Sequence, residues 1–455
     1  MIKLYKFLKK KLPSIVFHSG IIFVFSQMGA VINFVTNLLI VPKYLDANDL
    51  GLISPVTQFV AFGAIPLSVI TTLVIKYITK YEANEEWGKL KKLVRDLIVF
   101  GIVTTVLISI FFLITSSSFA LRAKIDSKVI MFWMFIYLCI SSWTPLVGVL
   151  TRSTQRFIVI GIMGFIVPLS LMICSVILLP KYGFAGYLVA LIVSVSINVV
   201  VLGYSVYKHL RPHNIEYKPY FQDVKPVLKK YSFIFILSAG ASWLWFFIPP
   251  FAVRNFLSAQ DSAGYFFVQR LSMLPVYACS SMMLILMPIL SMKHEKNEST
   301  SKTVKGTILY TLFSGAIVTS LLYIFSPRLF VIIPQWTQYA DYSQYIWFMS
   351  ISITLASVNS IISTSFSAKW IFKPSWYKLP VSCFFVLLIY VLFGWGITKP
   401  YLPLNIWTYI NDIPKNISLI IIIMILRHIV CLIINIIWCH IINRNKDIYM
   451  SKSFI

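Results

Sequence analysis

Acidic side chains are scarce in this chain. Fifteen Asp and Glu stand against 40 Lys and Arg in 455 residues, and none of the fifteen falls inside a long apolar run. Asp96 and Asp341 come closest, just outside two of those runs. A buried proton or sodium site built on an intramembrane carboxylate is therefore not expected, nor is a metal-dependent membrane enzyme. Cysteine is also sparse. The six (Cys139, Cys174, Cys279, Cys383, Cys431, Cys439) all lie in apolar runs and form no CxxC pair, so neither disulfides nor a metal site is expected. No nucleotide-binding motif occurs. Apolar residues are abundant, at 58% of the chain, with a mean hydropathy of +0.82.

A membrane-spanning helix needs about 20 apolar residues. The stretches 12–42 and 342–368 contain no Asp, Glu, Lys or Arg at all. Twelve such runs are predicted as spans: 14–41, 50–75, 97–115, 129–150, 157–179, 184–207, 231–253, 264–290, 305–326, 342–368, 376–397 and 417–443. The first follows Lys3, Lys6, Lys9, Lys10 and Lys11, as a signal peptide would. It is too long for one, and residues 40–44 offer no small-residue cleavage site, so an uncleaved span is expected. Asn297 and Asn416 match the glycosylation acceptor pattern by chance.

The connecting loops alternate in basic content. With the N-terminus in the cytoplasm, the inner loops carry 29 of the 40 Lys and Arg and the outer loops nine, Arg254 among them. Arg270 and Arg427 sit inside spans. Lys and Arg concentrate on the cytoplasmic side, so both termini are expected inside. The net charge of +25 is spread over seven short inner loops, where anionic headgroups attract it. Membrane lipids are thus the expected partner, not nucleic acid.

The chain also repeats. Asp49 and Asp261 are 212 residues apart, Gly51 and Gly264 are 213 apart, and Pro168 and Pro380 are 212 apart. Residues 1–215 and 216–455 are read as duplicated six-helix lobes. An even number of spans per lobe makes the repeat parallel, and transport folds of this kind hold substrate at the repeat interface. Helix-ending residues recurring at similar intervals are the alternative.

Several polar groups lie inside the spans. Arg270, beside Gln269, is about six residues into span eight, roughly 9 Å from its outer end. It reads either as a cation for a phosphate, which a guanidinium binds bidentately, or as a side chain snorkelling to headgroups. Arg427 and His428, near the middle of span twelve, read as a structural pair. Ser19, Ser26, Asn33 and Asn37 share one face of span one, either lining a cavity that binds sugar hydroxyls or gluing helices together. Ser54 and Gln58 form a weaker stripe on span two. Ser238 and Ser242 on span seven lead to Trp245, whose ring reads first as core or interfacial packing and second as a surface on which a sugar stacks. Arg152 and Arg156, at the inner mouth between spans four and five, read as a capture point for an anionic headgroup or as topology determinants.

A family resemblance rests on particular stretches. Lys43-Tyr-Leu-Asp-Ala-Asn-Asp-Leu-Gly51, within 34–81, resembles the start of bacterial polysaccharide flippases. Arg152-Ser-Thr-Gln-Arg156 with Leu179-Pro-Lys-Tyr-Gly-Phe-Ala-Gly186, and 255–275, are similar to later parts of those proteins. The resemblance points to the multidrug/oligosaccharidyl-lipid/polysaccharide exporter superfamily. It implies an all-α protein of twelve transmembrane helices in two six-helix lobes around a central cavity, placed in the bacterial inner membrane. It further implies that the chain is no enzyme and needs no cofactor. Its function would be to move undecaprenyl-diphosphate-linked O-antigen or similar repeat units outward, alongside a polysaccharide polymerase and a chain-length regulator. The substrate-binding residues expected on this reading are Arg270, Gln269, Asn33, Asn37, Ser26, Gln58, Arg152 and Arg156. A cation-coupled drug or metabolite antiporter of the same fold, and a membrane-embedded polymerase or glycosyltransferase, are the competing readings. The outer loops 327–341 and 398–416 are short for a catalytic domain.

Overall fold

The structure, a computed structural model, describes residues 14–154, 156–212, 240, 246–277, 279, 286, 290, 293, 299–368, 377–394 and 417–444. Within these residues the fold class is as expected, helical throughout with no strand. Seven helical stretches are long and apolar enough to cross a bilayer. The predicted spans enter that number merged or cut, because helix boundaries do not follow hydropathy alone. Parts of spans seven, eight and eleven, both termini, Trp245, Ser238, Ser242, Asn297 and Asn416 lie outside the described residues, as does the side chain of Ser19.

The chain divides into two compact units, Met1–Leu45 with Val56–Ala239, and Asp46–Pro55 with Gly240–Ile455. In the first unit, α1 (Ser14–Val35) ends in a π-helical turn, Thr36–Ile40. Helix α2 (Ala47–Phe62) breaks from α3 (Ile65–Ala83) at Gly63 and Ala64, just ahead of Pro66, so predicted span two is two helices. Proline lacks the N–H that would continue the ladder, which sets the break. Helix α4 (Trp87–Ala123) starts early, in its polar inner loop. Span four is likewise cut into α5 (Lys128–Ser141) and α6 (Thr144–Ser153) ahead of Pro145.

Helix α7 (Phe157–Leu210) contains predicted spans five and six. Gly183 adopts φ 53°, ψ −133° inside it, a backbone state that side chains disfavour. The chain reverses there. Met163 packs with Leu202, and Ile166 and Val167 lie near Ile197 and Val199, the pairing of two antiparallel legs.

Burial follows one face of each helix. On α4 the buried set is Leu90, Leu93, Val94, Leu97, Gly101, Thr104, Ile108 and Phe112, at helical spacing. The opposite face exposes Val99, Ile102, Val103, Val106, Leu107, Ile110 and Ile114. An apolar stripe of that length is insoluble in water and suits acyl chains.

The tightest crossing in the first unit joins α1 to α7. A Cβ at Gly29 would collide with the Gly164 carbonyl oxygen. Small residues let membrane helices approach closely. Gly29→Ala should therefore cost about 1–3 kcal/mol of overpacking, read as a lower detergent melting temperature. Gly306→Ala, whose Cβ would meet nothing within 4 Å, should leave that temperature unchanged or raised.

In the second unit, α8 (Ala259–Ser272) is followed by α9 (Ser301–Ile332), a 3₁₀ segment (Pro334–Gln344), α10 (Tyr345–Ala368), α11 (Lys378–Gly394) and α12 (Ile417–Arg444). Helix α10 is central and packs on α8, α9 and α12. Phe267, Phe330, Trp336 and Tyr339 stack under the 3₁₀ segment, all with zero exposure.

Candidate functional site

Helix α8 begins five residues earlier than hydropathy indicates. Ser258 and Asp261 form a reciprocal capping box, Ser258 Oγ accepting from the Asp261 N–H at 3.0 Å. Such a cap fixes a helix start in polar sequence. Arg270 is therefore the twelfth residue of its helix, roughly 17 Å along it at 1.5 Å per residue.

Every residue of α8 from Ser262 to Gln269 is buried. Residues 46–55, at the start of α2, supply part of the cover. Ser262 donates to the Gly51 carbonyl at 3.0 Å, and Ser54 donates to Gln269 Oε1 at 2.7 Å. A Cβ on Gly51 would stand 2.7 Å from that of Ser262, so glycine permits the approach. Arg254, four residues before the Ser258 cap, is 1% exposed and donates to Asn48 Oδ1. Sequence counting had placed Arg254 with the outer loops; it is a buried helical residue beside Asp46 and Asp49. Tyr342 donates to Asp261 Oδ1 at 2.8 Å with its ring against Gly264.

Arg270 differs from these neighbours. It is half-buried, with its guanidinium carbon 5.5 Å from the Phe266 ring centroid. Its Nε is buried and has no hydrogen-bond partner among the described residues. Gln269, next to it, is 5% exposed and engaged with Ser54. The arrangement leaves an oriented cation with donor capacity on a rigid helix.

In the first unit, Asn37 is 4% exposed. It donates to Asn33 Oδ1 at 2.7 Å and accepts from the Tyr187 hydroxyl on α7 at 3.0 Å. Asn37 lies in the π-helical turn, a local widening often found at functional positions. Ser26 and Asn33 are half-buried, Ser26 against Gly164. Gln58 is half-buried on α2. Arg152 is exposed and its Nε donates to the Gly148 carbonyl on its own helix. Arg156 is half-buried and bonded to His209. The structure thus joins Gln269 to Ser54 in the second unit and Asn33 to Asn37 in the first.

Arg427 and His428 belong to a buried polar cluster between α10, α11 and α12. Arg427 donates to Ser382 Oγ at 3.0 Å and contacts His428 Nδ1 at 3.1 Å. Asn359 donates to the His428 carbonyl and accepts from Asn435. This is the structural pairing expected from the sequence, extended to three helices.

No protein-family model and no curated protein matches the chain. Solved structures do. A multidrug resistance MATE family transporter of the MOP superfamily, in its outward-facing conformation, is similar at 14% identity and a TM-score of 0.66, covering 93% of this chain and 95% of that one. A MATE transporter of Vibrio cholerae gives 14% identity and 0.66 over 95% and 98%. A MOP superfamily transporter from Pyrococcus furiosus gives 12% and 0.65 over 93% and 95%; its pocket is described as reversed in polarity, suggesting a different function. These neighbours have a two-lobed fold of twelve helices, and the chain shares that fold.

Proposed function

We propose that this protein is a transporter that moves undecaprenyl-diphosphate-linked oligosaccharide from the cytoplasmic to the periplasmic leaflet of a bacterial inner membrane by alternating access, and is not an enzyme. The observation that carries this reading is Arg270, an oriented guanidinium with a buried Nε that no described residue bonds. A diphosphate is the ligand chemistry such a fork fits best, because two parallel N–H···O bonds form on one planar group. Ser26, Asn33 and Gln58, half-buried and neutral, suit sugar hydroxyls. Drug antiport through a buried carboxylate lacks its carboxylate in every predicted span. Both termini are assigned to the cytoplasm from the charge bias.

Deletion in the native strain tests the reading. Lipid-linked glycan should accumulate in the cytosolic leaflet while surface glycan falls and drug susceptibility stays unchanged. Unchanged surface glycan together with a rise in drug susceptibility would overturn it in favour of the antiporter.

A further inference from the structure

Three segments assigned to inner loops meet at one end of the first unit. Glu82 is the penultimate residue of α3, Arg156 lies between α6 and α7, and His209 is near the end of α7. Arg156 Nη2 is 2.8 Å from His209 Nδ1, and His209 Nε2 is 3.4 Å from Glu82 Oε1. The indole of Trp87, the first residue of α4, stands edge-on to the imidazole at 5.4 Å. Beneath them Ile78, Tyr81, Leu90, Val206 and Leu210 form an apolar core.

We propose that Glu82, His209 and Arg156 form a proton-binding site, with the Glu82 carboxylate as acceptor, which clasps the ends of α3, α4 and α7 when empty and loosens them when loaded. The geometry fixes the roles. Arginine only donates, so His209 Nδ1 accepts from Arg156 and the imidazole hydrogen sits on Nε2, facing Glu82 Oε1. A second proton has no place on that histidine while Arg156 holds Nδ1. Glu82 Oε2 is buried and has no hydrogen-bond partner among the described residues. A buried carboxylate oxygen without a donor is costly when charged. A proton taken from water by Oε2 forms the O–H bond and neutralises the carboxyl, while Arg156 stays charged and His209 neutral. The attraction across the imidazole between Arg156 and Glu82 is then lost.

The other charged groups nearby are paired elsewhere or face outward. On α4, Lys89 pairs with Glu86 at 3.1 Å and lies 5.9 Å over the Tyr81 ring, while Lys92 pairs with Asp96 at 2.9 Å. Arg152 on α6 and Arg211 after α7 are exposed. The side chains of Lys76 and Lys80 on α3 lie outside the described residues. Burial pushes the Glu82 carboxyl up to about 7, against the pull of Arg156. The site would respond to cytoplasmic pH whatever substrate the protein carries.

Carboxyl carbon NMR on the full chain in nanodiscs, labelled at its six glutamates, tests this directly. One signal should titrate near pH 7 and vanish in Glu82→Gln, and equally in Glu82→Asp should the Gln variant express poorly. Arg156→Gln should shift that midpoint further upward, because a stabilising cation is gone. An ordinary exposed carboxylate remote from Arg156 predicts no such shift. The folded chain holds this proton more tightly than the unfolded one, so the stability contribution of Glu82 should fall as pH rises from 4.5 to about 7. Six signals titrating together as ordinary carboxylates, or a midpoint unmoved by Arg156→Gln, would overturn the proposal.

Discussion

Replacing Arg270 by Ala should reduce surface glycan at least tenfold with the protein inserted at its normal level, and Arg270→Lys should retain part of the activity. Charge-assisted hydrogen bonds to an ionised partner contribute about 1.5–3 kcal/mol each, so losing one or two lowers productive binding by roughly one to four decades. Lysine keeps the charge and gives up the planar fork. The fold should tolerate the change. Arg270 is half-buried and its Nε bonds no described residue, so Ala strands no acceptor at that atom. The snorkelling alternative predicts full export by the Ala variant. Quantifying surface glycan against membrane-inserted protein decides between them. A full-export result would remove Arg270 from the site and leave the fold assignment untouched.

The difference between what could and could not be read from the sequence has physical causes. Long apolar runs almost free of charge suit a hydrocarbon solvent, so the membrane class was legible from the chain alone. The reversal inside α7 was legible too, because Pro180 and Gly183 bracket it. The start of α8 was not found by hydropathy, since Ser258 to Asp261 is polar. The signal was present as a Ser-x-x-acid cap, and reading it would have set the start of the helix. Arg254 looked like a loop cation because its partners, Asn48, Asp46 and Asp49, are about 200 residues away. The π-helical turn at Thr36–Ile40 has no sequence signature, and Tyr187, which holds Asn37 there, could not be paired with it in advance. Glu82 and His209 are separated in the chain by a complete set of helices. A single sequence carries no information on such contacts, and their proximity emerges only once α3 and α7 are packed.

Making the lumen of proteoliposomes positive, where the lumen stands for the periplasm, should accelerate flipping of the lipid-linked oligosaccharide, and reversing the potential should slow it. A diphosphate carries roughly two negative charges, and each gains about 2.3 kcal/mol per 100 mV on moving to the positive side. Uncompensated movement is then favourable by roughly 4–5 kcal/mol, about three decades in the equilibrium distribution. That suffices to drive export without a carried cation. It also agrees with the placement of the acids: Asp49 and Asp261 lie in first helical turns, and Asp96 is paired with Lys92. Glu82, at the end of α3 and outside the predicted span, is positioned to set the resting state rather than to ferry a proton across the bilayer. The driving force and the pH response are therefore separable. Clamping the potential at zero should abolish the acceleration at every pH, while changing cytoplasmic pH at fixed potential should alter only the rate. Flipping that ignored the potential and instead demanded a sodium or proton gradient would refute this energetic scheme and restore the cation-coupled antiporter.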